Sequence, residues 1–166
     1  PATVVLPLMF IAGFGGGLLW AGIAAFLKSR LEVSEILTTL LLNYVAIELV
    51  NYFVYGPWKD RSGGNFPNTP LFAENAWLGS LGWGRLHTGF MVAIGMAGVV
   101  YILLRYTTFG FEIRVVGDNV NAARYAGINC PTVILITLMM AGGMAGLAGF
   151  VEVAGIEHKL HHHLSQ

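Results

Sequence analysis

The sequence predicts an all-α, polytopic transmembrane helix bundle of about four spans. Three observations carry that prediction: too little charge for a water-facing domain, long uncharged runs, and run lengths that match a bilayer. Hydrophobic residues make up 55% of the 166 residues, and charged residues 11%, against about 25% in an ordinary soluble domain. Mean hydropathy is +0.67. A soluble chain this small leaves much of its surface in water and needs charge there. This composition therefore excludes a disordered chain and an ordinary cytosolic enzyme. A lone cysteine, Cys130, excludes a disulfide scaffold. Zero formal net charge leaves no basic field to neutralise phosphates, which argues against nucleic acid as a partner.

The first run, Pro1 to Leu27, carries no charge. In the second, Ile36 to Trp58, Glu48 is the one charge. Leu86 to Leu104 is uncharged, and so is Tyr125 to Val151. About 20 apolar residues in a helix, rising 1.5 Å each, cross the hydrocarbon core. None of the runs alternates as barrel strands do. The first lacks the basic start of a signal peptide and is too long for its apolar core. The chain begins at Pro1 rather than Met, so it is expected to be trimmed or a piece of a longer protein.

The connections set the predicted orientation. Residues 28–35 form a short hinge of mixed charge. Residues 57–85 form a long polar loop holding Trp58, Phe66, Phe72, Trp77 and Trp83. Lysine and arginine favour the cytoplasmic side of short loops. Lys28, Arg30, Arg105, Arg114 and Arg124 then lie inside, with Lys59, Arg61 and Arg85 outside. The 57–85 loop is thus expected to be extracytoplasmic and the 107–131 loop cytoplasmic. No internal repeat is evident, and residues 1–166 read as a single membrane domain.

Small residues recur at a spacing of four: Gly13 and Gly17 in the first run, Gly89, Ala93 and Ala97 in the third, Gly142 and Gly146 in the fourth. Such stripes let helix backbones approach closely, and a sliding interface would use the same pattern. Gly13-Phe-Gly-Gly-Gly17 is no dinucleotide loop, since the third glycine of that fingerprint is missing and no strand precedes it. With no Gly-x-x-x-x-Gly-Lys-Ser/Thr segment either, any ATP-driven step needs another subunit.

Glu48 falls near the middle of the second run, where an unpaired charge costs several kcal/mol. Tyr44, Glu48, Asn51 and Tyr55 share one helix face, with Asn43 and Tyr52 beside them. This polar stripe reads either as the lining of a hydrated solute path, through Asn43, Tyr44, Glu48 and Asn51, or as hydrogen bonding between helices. Glu157, His158, His161 and His162 would share a face if helical. They admit a metal site, but a polar rim is the simpler reading, and no metal or catalytic group is assigned.

Residues 107–131 contain a predicted helix of about two turns, isolated between two spans. Asp118 or Asn119 caps its start, Ala122, Ala123 and Arg124 favour it, and Gly127 ends it. A helix this short needs a surface to pack on: the bilayer, or a cytoplasmic partner.

The segment Val116-Gly-Asp-Asn-Val-Asn-Ala-Ala-Arg-Tyr-Ala-Gly-Ile128 resembles the cytoplasmic coupling segment of bacterial ABC importer permeases of the branched-chain amino acid and simple-sugar class. Val33-Ser-Glu-Ile-Leu-Thr-Thr-Leu-Leu-Leu-Asn-Tyr-Val-Ala46, Gly56-Pro-Trp-Lys-Asp60 and Ala141-Gly-Gly-Met-Ala-Gly-Leu-Ala-Gly149 are most similar to the nucleoside-uptake branch, which works with a lipoprotein-type binding protein. The resemblance implies an internal piece of a permease in the bacterial plasma membrane, since full members have more spans. It implies a second permease subunit, an extracytoplasmic solute-binding lipoprotein and cytoplasmic ABC ATPase subunits that use the ATP, so that the chain itself holds no cofactor and no ATPase site. Gly117, Asp118, Asn119, Ala122, Ala123, Arg124, Tyr125 and Gly127 are then expected to couple to the ATPase. The expected solutes are nucleosides or related ribosylated or heteroaromatic compounds, with simple sugars or riboflavin-like compounds as the alternative. A membrane-embedded metal enzyme is the rival from another class.

Overall fold

The computed structural model describes residues 2–57 and 89–154, and among these every regular element is helical. In chain order they are α1 (Ala2–Leu31), α2 (Glu35–Tyr55), α3 (Gly89–Tyr106), α4 (Thr108–Asp118), α5 (Val120–Tyr125) and α6 (Cys130–Glu152). The helices α1, α2, α3 and α6 are each long and apolar enough to cross a membrane. They coincide with the four runs of the sequence to within a few residues. Large apolar side chains such as Leu8, Leu19, Leu41, Ile94 and Val99 are exposed along them, which suits a chain whose solvent is lipid. The loop expected at 57–85 and the Glu157–His163 cluster lie almost wholly outside the described residues.

The tightest packing joins α1 to α6, and small residues cause it. The two helices run antiparallel, with Gly13 beside Gly146 and Gly17 beside Gly142 and Gly146. A Cβ on Gly146 would overlap the Gly13 carbonyl oxygen, and one on Gly17 would overlap that of Gly142. The Phe14 ring fills the space over Gly143, where a Cβ would meet it at 2.6 Å. One turn further out, Phe10 and Phe150 meet edge to face with centroids 6.1 Å apart. Lipid tails are as apolar as leucine, so van der Waals fit is what holds such helices together. The glycine stripes of the first and fourth runs thus serve close packing. Of the third stripe, Gly89 and Ala93 line an apolar cleft of about 370 Å³ between the described parts of α3 and α6.

The remaining elements meet at one end of the bundle. Helix α1 ends in a reversal whose Glu32 has φ 53°, a left-handed conformation costing a side-chain-bearing residue roughly 1–2 kcal/mol. Lys28 Nζ and Glu35 Oε2 close that turn at 2.6 Å. Helix α2 then leaves along α1 and buries Thr38 and Val54. At the same end α3 folds over into α4 through Thr107. Its hydroxyl donates to the Leu103 carbonyl at 2.6 Å and accepts from the Gly110 N–H at 3.0 Å. Gly110 is required there, because a Cβ would overlap the Leu103 carbonyl oxygen.

Candidate functional site

The segment between α3 and α6 is built differently from the lone short helix expected there. Residues 108–118 form a helix of their own, and α5 is not isolated. The unread signal is Phe109, Ile113 and Val116, a helical apolar face that begins directly after the Thr107 cap. Val116, Ala123, Cys130 and Val133 form a small buried core at this end, with Phe109, Ile113, Val115, Ile128 and Ile134 packed around it. Burying each of Val116 and Val133 contributes roughly 1.5–3 kcal/mol. That supplies what a six-residue helix lacks on its own.

The caps fix where α5 starts and stops. Asn119, not Asp118, caps it: its Oδ1 accepts from the backbone N–H of Asn121 at 2.9 Å and of Ala122 at 3.1 Å. Asp118 ends α4. Gly127 ends α5 with φ 80°, and the Ile128 N–H donates back to the Ala123 carbonyl at 3.0 Å. Asn119→Ala is expected to lose about 1 kcal/mol of stability, read as a lower thermal midpoint of the purified full-length protein.

Within this element the expected residues divide into two sets. Ala123 is fully buried beneath α5. Gly117, Asp118, Asn119, Ala122, Arg124 and Gly127 are exposed, and Tyr125 is 95% exposed. One methyl group anchors the helix while its polar and aromatic side chains face outward. The Cys130 thiol, 1% exposed, lies under α5 with Sγ 3.7 Å from the Val120 carbonyl oxygen. The α1–α2 turn lies beside α5, with Glu32 Oε1 4.0 Å from the Arg124 guanidinium. Basic residues end α1, α3 and α5 (Lys28 and Arg30, Arg105, and Arg124), where they complement the negative ends of the helix dipoles.

The polar stripe on α2 lies well away from this platform. Asn43, Tyr44 and Glu48 are exposed and Asn51 is half-buried. The structure therefore does not gather these residues and the 117–127 set into one site. It places them on one helix and at one end of the bundle, respectively.

Residues 2–162 match the family described as branched-chain amino acid transport system / permease component. The chain belongs to that family. Among curated relatives, the glucose ABC transporter permease protein TsgB13 of Haloferax volcanii is 39% identical over 93% of this chain and 43% of its own length. The guanosine ABC transporter permease protein NupP of Bacillus subtilis is 34% identical over 93% of this chain and 45% of its own. The nucleoside ABC transporter permease protein NupB of Lactococcus lactis is 31% identical over 91% and 44%. The chain thus spans less than half the length of these relatives. No solved structure matches it. Family and helices together make it a multi-pass plasma-membrane protein.

Proposed function

We propose that the chain is a membrane-embedded part of a permease subunit in an ATP-driven ABC importer, and that α4 and α5 receive force from a cytoplasmic ATPase subunit. The observation that carries this reading is the construction of α5: Ala123 is locked into a core shared with α4 and α6, while the Arg124 and Tyr125 side chains are exposed beside it. A push on such a helix moves α6 rather than bending a loop. The clustering of basic residues at this end supports placing it in the cytoplasm. Alternating access then works as a lever acting on packed helices. A second permease subunit and an extracytoplasmic solute-binding lipoprotein complete the assembly.

For the solute we propose nucleosides or related ribosylated or heteroaromatic compounds. NupP and NupB carry guanosine and nucleoside in their names, and the Asn43, Tyr44, Glu48 and Asn51 stripe offers both hydrogen bonds and a ring face. A simple sugar is the second reading, favoured by TsgB13. Uptake into proteoliposomes holding the complete transporter, with unlabelled nucleosides and sugars as competitors, tests the choice. Competition by nucleosides alone supports the first reading, and by sugars alone the second. In the same assay Glu48→Gln is expected to change uptake or solute preference without loss of assembly. Normal transport by Glu48→Leu, with a more stable complex, would reduce the stripe to a structural role.

A further inference from the structure

We infer that Glu32 is a positioning residue for α5: it holds the α1–α2 turn against that helix, so that force applied at α5 reaches α2 directly. The inference rests on the coupling reading above and adds a residue to it. Its backbone comes first. Among the described residues Glu32 is the non-glycine residue with positive φ. It sits where α1 reverses, with the Val33 N–H donating back to the Leu27 carbonyl at 3.4 Å. That is the left-handed helix ending for which glycine is the favoured residue. A glutamate there keeps backbone strain that glycine would relieve, and its side chain extends from the turn to the side of α5.

Its carboxylate, on a side chain 87% exposed, lies 4.0 Å from the guanidinium of Arg124 in the last turn of α5. The nearby ammonium of Lys28 is already held by Glu35 at 2.6 Å. A cleft of about 300 Å³ lies beside the turn, lined by Lys28 and Glu35 on one side and by residues of α4, α5 and α6 such as Val116, Val120 and Ile134 on the other. Connectivity gives the pair its consequence. Helix α6 follows α5 through the buried core, and α1 follows α6 through the glycines. Helix α2, which carries Asn43, Tyr44 and Glu48, is joined to the rest of the described bundle chiefly through this turn and a partial contact with α1.

The test is a double-mutant cycle in the complete transporter, reconstituted with its ATPase and binding protein, reading ATP hydrolysed per solute imported. Glu32→Gln is expected to raise that ratio on the order of threefold, as befits an exposed pair, and to add nothing in an Arg124→Gln background. Glu32→Gly is expected to raise it equally, although its turn is relaxed and its thermal midpoint is unchanged or higher. Glu32→Gly coupling as well as the parent, or Glu32→Gln costing the same in both backgrounds, would overturn the inference. The coupling reading fails separately, if Tyr125→Ala leaves transport unchanged. If Tyr125→Ala acts and the cycle is flat, only the role of Glu32 falls.

Discussion

Gly146→Ala is expected to destabilise the protein by about 1–3 kcal/mol, the usual range for overpacking a close contact. Two effects compete. Alanine gains up to about 1 kcal/mol over glycine in helix propensity, which taken alone would stabilise α6. Against it, the new methyl overlaps the Gly13 carbonyl oxygen and lies within 3.1 Å of Gly17 Cα. Both are backbone, so relief requires the helices to part along the whole α1–α6 seam. The steric term wins for that reason. Gly149, one turn away, is the control: a Cβ there meets no described atom within 4 Å, so Gly149→Ala shows the propensity effect alone and is neutral or mildly stabilising. Thermal unfolding of the purified full-length permease in detergent reads both. Equal behaviour of the two variants would mean that α1 and α6 do not cross through these glycines.

Tyr125→Ala and Arg124→Glu are expected to lower solute uptake about tenfold or more while leaving the extracytoplasmic receptor's affinity for solute intact. Exposed aromatic and arginine side chains are the residue types that dominate protein interfaces. Tyr125 is 95% exposed, so its removal touches nothing in the core, and stability is expected to stay within about 0.5 kcal/mol. Loss of transport without loss of stability thus separates a docking role from a folding role. For Tyr125→Ala, solute-stimulated ATP hydrolysis by the assembled complex should fall in parallel. Undiminished uptake in both variants would refute the assignment of α5 as the coupling helix.

The spans were legible because each needs only length and absence of charge, and the glycines at positions 13, 17, 142 and 146 announced their packing by spacing alone. The platform was legible only in part. Asn119 and Gly127 marked the ends of α5, since capping is a local property written in one or two residues. Helix α4 was missed because Arg105, Glu112 and Arg114 make residues 105–118 read as a polar loop, while the Phe109, Ile113 and Val116 face is narrow and spans only about two turns. Burial of Ala123 was invisible for a related reason: an alanine favours a helix anywhere, and only the tertiary neighbours Val116, Cys130 and Val133 turn it into an anchor. Nor could spacing reveal that Gly89 and Ala93 border a cleft, since a small-residue stripe has the same pattern whether or not a helix fills it.

The most direct test is labelling of Tyr125→Cys by a membrane-impermeant maleimide in oriented vesicles, with and without the ATPase subunit. The native thiol of Cys130 is 1% exposed, and the parent protein with Tyr125 intact sets the background. Labelling from the cytoplasmic face, suppressed when the ATPase is bound, is the expected result. Labelling from the outer face, or labelling that the ATPase does not diminish, would contradict the lever mechanism.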